Sequence, residues 1–459
     1  MSALPTISDI VATHMAEVRH ADLSLHTLHA TRRSLLDALG VMLAASGLAD
    51  DALPYRRHAE QQRGACRLIG STHRTSPAAA ALANGALAHA LDFGDTFDAG
   101  PAHPNAALVP ALLALADRDP TIAMEALETA MATGCDLACR LSLAPSRPFE
   151  AGGWYPPPLV NLIATAAAAA KLLGLPAEGI RDAMGLAMMQ GAFPGEIKHD
   201  PTSPMRGVRE GFAARGAVEA ALLAQAGARA FADPLGGTAG FLALYGGGPA
   251  KPALTEALGK RFLGDEVSFK PWPACRGTHA YIEAALELRP GIAGRTIHSI
   301  EAEIGPVQTM LIEPLSAKQA PRTPIEARFS IPFTVAAALV DGAVSLDSFG
   351  EERLGDAALH AMAAKVTPRF NDGWTRADAA RGALRITLED GSELAFAVAQ
   401  AAGHPDRPLD DDALVAKFVD CATRAANAPS ADRAQALAMA LLAGQAPSPS
   451  EWLSFGAAE

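Results

Sequence analysis

Asp92, Thr96 and His103 fall in one short segment, "HALDFGDTFDAGPAHPNAALVP", residues 89–110. A histidine preceded by a carboxylate and a hydroxyl is a set that general acid–base chemistry uses. A neutral imidazole takes up a proton near pH 7, and a carboxylate orients the ring and stabilises its charged form. Asn105 is of the type that caps a helix opening at "AALVPALLAL", which would hold His103 at the positive helix end, where imidazolium is disfavoured. On a helix ending in this segment, Asp92 and Thr96 would point the same way. The same residue types also cap helix ends without further purpose, and the sequence alone leaves both readings open.

A second set lies in "FKPWPACRGTHAYIEAALEL", residues 269–288. Pro271 and Pro273 impose extended backbone and so fix where Lys270 points. Thr278 is placed to cap the helix that carries His279. Lys270 and Arg276 beside the amides of that helix start suit a carboxylate, although a solvated lysine at a domain boundary fits equally. Between the two sets, "EIKHDPTSPMRGVREGFAARG" carries Lys198, Arg206 and Arg209 ahead of a helical run, as a binding loop or a plain surface loop would.

The elements that must hold these residues are mostly helical up to about Phe262. "HTLHATRRSLLDALGVMLAAS" puts Leu28, Leu35, Leu36, Leu39 and Met42 on one stripe. Further helices are expected in "PAAAALANGALAHALDF", "NAALVPALLALAD", "AMEALETAMATGCDLACRL", "PLVNLIATAAAAAKLLGL", "PAEGIRDAMGLAMM" and "FAARGAVEAALLAQAGARAF", with Pro77 and Pro176 at first turns. "YGGGPAKP" lacks the preceding strand and the lysine–serine pair of a phosphate loop and reads as a linker. Beyond it, "TIHSIEAEIGPV" alternates like a half-buried strand. "EARFSIPFTVAAALVDG" reads as a strand running into a helix, and "LRITLEDGSELAFAVA" as a hairpin around Asp390-Gly391. From Asp410 onward the pattern is helical again. The expected architecture is mostly α: a large all-helical domain from residues 1–265 and 405–459, with a smaller α+β lid domain, 266–404, inserted between.

The totals narrow the partners. With 50 acidic against 38 basic residues, a net charge of −12 and no basic run, the 459-residue chain is not patterned for nucleic acid. A few convergent cations in a cleft still attract a small anion. The N-terminus has no continuous apolar core of a secretory signal, and the most apolar stretch is broken by Asn161, Thr165 and Lys171, so neither export nor a membrane span is expected and the compartment is taken as cytoplasmic. The five cysteines are too scattered for a disulfide framework, and Cys135 and Cys139 read as a buried pair. His14, His20, His26 and His29 lack the acidic or cysteine partners that would fix a coordination geometry, and no metal is expected.

Taken together, "HALDFGDT", "HPNAALVPALLALAD", "AAAAAKLLGL", "REGFAARGAVEAALLAQAG", "FKPWPACRGTHAYIEAALELR" and "EARFSIPFTVAAALVDG" resemble, in this order, the MmgE/PrpD family. That family includes 2-methylcitrate dehydratase, cis-aconitate decarboxylase and iminodisuccinate epimerase. The resemblance implies a helical domain closed from both chain ends, an α+β lid, a homodimer and an active site between the domains. It carries site roles onto Asp92, Thr96, His103, Lys270 and His279. The chain departs from the family at four places: Arg206 stands where many members have lysine, Cys275 where decarboxylases often have histidine, Phe333 where an aromatic hydroxyl is usual, and Tyr155 where a histidine is usual.

The activities of that family share one demanding step, making or trapping a carbanion next to a carboxylate, which asks for a base on the carbon and cations on the carboxylate oxygens. The roles implied are His103 as base with Asp92 orienting it, Lys270 and Arg206 holding carboxylates, Thr96 bonding substrate or leaving group, and His279 or Tyr155 returning a proton. Cys275 lines the substrate side. Arg206 stays charged and would clamp without donating a proton. No metal or organic cofactor is required by this set. The expectation is a hydro-lyase of the 2-methylcitrate dehydratase type acting on a small di- or tricarboxylate. The alternatives are an iminodisuccinate-type epimerase, a cis-aconitate-type decarboxylase, or a carboxylate-binding relative without turnover.

Overall fold

The computed structural model describes residues 4–200, 203–445, 448–449 and 452. The chain is mostly helical, with six short strands among the described residues. Its internal contacts divide it into two compact units, one made of Met1–Ala90, Gly94–Val267 and Asp410–Glu459, the other of Leu91–Phe93 and Ser268–Leu409.

In the first unit the helices Pro77–Ala90, Asn105–Arg118, Pro156–Leu172 and Glu210–Gln225 pack against one another, and Met124–Leu143 lies along Pro156–Leu172. The alanine-rich sequence explains this arrangement. Runs such as Ala166–Ala170 are wholly buried, and small side chains let helix axes approach closely while good helix propensity is kept. The leucine stripe of Leu25–Leu48 is buried as its spacing predicts, from Leu28 through Met42. Against that helix packs Asp411–Ala422, which Asp410 caps by accepting from the Ala413 amide, and Lys417 meets the buried Asp37 carboxylate at 2.6 Å. The Glu210–Gln225 helix ends sooner than its sequence pattern suggests, because the chain turns at Gly227, with φ +93°.

The second unit holds a four-stranded sheet in the order Val366–Phe370, Ile297–Ile304, Gly382–Leu388, Glu393–Val398, whose first pair is parallel and the others antiparallel. The expected hairpin is there: Gly382–Leu388 and Glu393–Val398 pair across a turn in which Gly391 takes the left-handed conformation. The helix His279–Ile292 covers the last two strands and packs on Ile331–Asp341. Ile300, Ile304, Ile386, Ala336 and Phe349 lie in the core they share.

The segment "EARFSIPF" is not a strand. It contains the end of the short helix Pro324–Arg328 and the start of Ile331–Asp341. Two caps explain the difference. Thr323 and Glu326 form a reciprocal capping box, and Ser330 accepts from the Phe333 amide. Strand Val366–Phe370 carries no clear signal of its own. It contains Pro368 and owes its conformation to pairing with a distant strand.

Candidate active site

His103 is placed by a tight loop in the first unit. Phe97 and Ala102 form an isolated antiparallel bridge, the Phe97 amide donating to the Ala102 carbonyl at 3.0 Å, so Thr96 and His103 are the next residues out and face each other. The loop closes only because Gly100 has no side chain: a Cβ there would sit 2.1 Å from Ser142 Oγ. Thr96 Oγ1 lies 3.1 Å from His103 Nδ1, and the Asp95 carbonyl lies 2.8 Å from the same nitrogen. A carbonyl only accepts, so Nδ1 carries the hydrogen and the basic lone pair of the neutral ring is on Nε2. The His89 ring packs at 4.6 Å between centroids.

Three local expectations change here. The Pro77–Ala90 helix ends before Asp92, which has φ +49°, so Asp92 and Thr96 do not share a helix face. Asn105 is the first residue of its helix and does not cap it. Its side-chain and backbone N–H groups donate to the Asp95 carboxylate at 2.9 and 3.3 Å. The ring nitrogen expected to lean on a carboxylate is held instead by the backbone of Asp95, a residue with no distinguishing signal beyond standing next to Thr96.

Asp92 belongs to the second unit, where it holds Lys270. Lys270 Nζ donates to Asp92 Oδ1 and to its backbone carbonyl, both at 2.8 Å, and both residues are buried. The left-handed backbone of Asp92 is a conformation that aspartate tolerates better than most residues. Lys270 is steadied from behind by Gly403, whose missing side chain lets residue 269 lie against it: a Cβ at Gly403, itself at φ +85°, would meet the Phe269 carbonyl at 2.0 Å. Arg276 donates to the carbonyls of Ala402 at 2.7 Å and Ala401 at 3.2 Å.

His279 is wholly buried, with Nε2 3.1 Å from the Ala274 carbonyl and Nδ1 3.4 Å from Arg276 Nη1. Its protonated form is strongly disfavoured, first by burial and then by the charges of Arg276 and Lys270, against which Asp92 pulls only weakly. With Nε2–H donating and Nδ1 accepting, the ring is a neutral brace for Arg276. Thr278 does not cap the helix either, since its hydroxyl donates to the Cys275 carbonyl at 2.8 Å. Cys275 is half-buried, its amide bonded to the Arg328 carbonyl. Phe333 is fully buried against Phe349.

The remaining expected residues lie in the first unit. Tyr155 immediately precedes the Pro156–Leu172 helix and is 5% exposed. Its amide donates to the Phe193 carbonyl, and the Arg209 guanidinium and Lys198 ammonium lie over its ring at 4.9 and 5.3 Å. Arg206 is half-buried, its carbonyl accepting from Arg209. The N-terminal histidines meet acids singly, His20 with Glu128 and His29 with Asp411. Among the described residues no group of three or more His, Cys, Asp or Glu side chains is arranged to hold a metal ion. Likewise, no described helix is long and apolar enough to cross a membrane.

These are the features of a mostly helical protein whose ionisable side chains are ordered in buried pairs by backbone carbonyls. The chain belongs to the MmgE/PrpD family: the family's N-terminal domain matches residues 9–253 and its C-terminal domain residues 272–442. It is 28% identical over 443 residues to the cis-aconitate decarboxylase-like protein oryM of Aspergillus oryzae, covering 88% of each chain. To the cis-aconitate decarboxylase of Homo sapiens it is 27% identical over 442 residues, 90% of this chain and 87% of the relative. The cis-aconitate decarboxylase of Aspergillus terreus is 26% identical over 383 residues, 77% of this chain and 76% of that one.

Proposed function

We propose that the protein is a lyase that acts, without a cofactor, on a small di- or tricarboxylate, and that its leading reaction is decarboxylation of an unsaturated acid of the cis-aconitate kind. The observation that carries this reading is the His103 ring, fixed by the Asp95 carbonyl so that Nε2 is the nitrogen that exchanges a proton. The similarity to the cis-aconitate decarboxylases supports the choice of reaction. When CO2 leaves, the electron pair of the broken C–C bond stays on carbon and is quenched by a proton from His103 Nε2, which the ring has first taken up from solvent on that lone pair to become imidazolium. Lys270 and Arg206 neutralise the carboxylates that remain, and Thr96 and Tyr155 offer hydroxyl donors.

A second reading, dehydration of a 2-methylcitrate-type hydroxy acid, is favoured by Cys275, where decarboxylases often have histidine, and by Phe333, where an aromatic hydroxyl is usual. In that reaction the same Nε2 takes the proton and a β-hydroxyl departs, so one nitrogen serves either direction of transfer. A homodimer belongs to the same proposal.

The test is incubation of the protein with cis-aconitate, 2-methylcitrate, citrate and iminodisuccinate in D2O, followed by NMR and CO2 measurement. A new vinylic signal with CO2 release is the expected result. The same signal without CO2 makes it a hydro-lyase, and deuterium uptake without net change an epimerase. Saturable binding with no reaction of any acid would remove the enzymatic reading. His103→Gln should abolish turnover with the fold intact.

A further inference from the structure

Asn161 is fully buried on the Pro156–Leu172 helix, and its side-chain amide donates to the His103 backbone carbonyl and to Glu210 Oε2, each at 2.9 Å. A carbonyl and a carboxylate both accept, so the NH2 end of the amide must face them. The other end, Oδ1, is buried without a hydrogen-bond partner among the described residues. The helix buries Thr165 as well, but its other buried side chains near Asn161 are alanine, leucine, isoleucine and valine, among which an apolar side chain would pack without an orphaned Oδ1, so the amide calls for a reason other than packing.

Glu210 supplies part of that reason. It is wholly buried at the start of the Glu210–Gln225 helix, with Oε1 3.3 Å from Arg209 Nε. Burial pushes its carboxyl above the usual range, while Arg209 and the Asn161 amide hold it down. The Arg209 guanidinium also lies over the Tyr155 ring. One buried ion pair is thus joined to two candidate site side chains, to Tyr155 directly and to His103 through Asn161.

We propose that Asn161 and Glu210 are positioning residues for His103. Glu210 fixes the Asn161 amide, Asn161 anchors the main chain of His103, and the Asp95 carbonyl anchors the ring at its other end. Neither touches substrate. The proposal rests on the reading of His103 as the proton-carrying group and adds what keeps that group in register. With the main-chain anchor gone, the imidazole can pivot about the contacts that Asp95 and Thr96 make with Nδ1, and a shift of about 1 Å in a catalytic group lowers turnover by roughly a hundredfold.

Asn161→Leu keeps the side-chain shape and removes the donor, Asn161→Ser returns a shorter donor, and Glu210→Gln keeps an acceptor oxygen without the charge. Nitrogen NMR of substrate-free protein labelled at histidine reports the His103 tautomer, its signals being assigned by their loss in His103→Gln. The parent protein should show the Nδ1–H form. Asn161→Leu should show a mixture, with kcat about tenfold to a hundredfold lower and KM within about twofold. Asn161→Ser should recover part of both, and Glu210→Gln should fall between. His103 signals unchanged in Asn161→Leu overturn the proposal. A disturbed tautomer with undiminished turnover sustains the positioning role and removes His103 from the reaction instead. If Asn161→Leu does not fold, Glu210→Gln decides by the same spectra, unchanged His103 signals again overturning it.

Discussion

Lys270 Nζ stands 2.8 Å from the carboxylate and 2.8 Å from the backbone carbonyl of the same residue, Asp92, with both side chains buried. A buried pair of this kind balances a desolvation penalty on each partner against their attraction, so its net contribution is small while the loss of one partner is severe. Lys270→Met should therefore destabilise the protein by about 3–5 kcal/mol, because it strands the aspartate. Combining it with Asp92→Asn should restore most of that stability, yet turnover should stay lost because the cation proposed to hold a substrate carboxylate is gone. Urea denaturation of the single and double variants checks the first part. Equal stability of the two would show that the pair is not coupled.

Gly100→Ala acts on the other cluster. The new methyl would sit 2.1 Å from Ser142 Oγ, and Phe97 is only 3.2 Å away, so the loop that sets Thr96 opposite His103 must open. Overpacking of this sort costs about 1–3 kcal/mol. The expected outcome is a modest drop in melting temperature with a much larger drop in kcat, and partial recovery of both when Ser142→Gly is added. A variant with normal kcat would mean that the loop does not need to be closed for the reaction.

His279 yields a prediction about pH. Its folded form is held neutral, so its pKa lies below the ordinary value of about 6.5 for an unfolded chain. Between those two values the unfolded state binds more protons, and stability must fall as pH drops from about 6.5 toward the lowered folded value. His14 in the first unit, brought down to about 4 by burial and by Arg140 and Lys171, adds a slope of the same sign. His279→Gln can still donate to the Ala274 carbonyl and accept from Arg276. It should lose less stability than the parent between pH 7 and pH 5 and keep turnover within a few-fold. Loss of turnover at unchanged stability would return His279 to the chemistry.

Much of this was legible in the sequence, and the illegible part has a physical pattern. Helices such as Leu25–Leu48 announce themselves because burial repeats at helical spacing, and the Asp390-Gly391 hairpin because its turn needs a left-handed residue. The misread strand near residue 330 had its correction in plain sight, since "TPIE" spells a capping box with proline at the first helical position. Residue types at the site were legible as well, but their wiring was not. His103 leans on the backbone carbonyl of Asp95, and a backbone acceptor looks the same in every sequence. Asn161 and Glu210 are brought to His103 by helix packing across a long separation in sequence. In a one-dimensional reading Asn161 was only a polar break in an apolar run.

Arg206 separates binding from chemistry. Its carbonyl is held by Arg209, which fixes the root of the side chain, and the residue is half-buried. A planar guanidinium can grip a carboxylate through two parallel hydrogen bonds, and an ammonium at the same place offers a point charge on a shorter reach. Arg206→Lys keeps the charge and loses the fork, so KM for the carboxylate substrate should rise about tenfold, the loss of one good charge-assisted hydrogen bond, with kcat nearly unchanged. Arg206→Gln removes the charge as well and should raise KM further, again with kcat nearly unchanged. Steady-state kinetics over a pH series distinguish these outcomes. An unchanged KM in both variants would exclude Arg206 from the carboxylate clamp, and a fall in kcat alone would place it at the transition state.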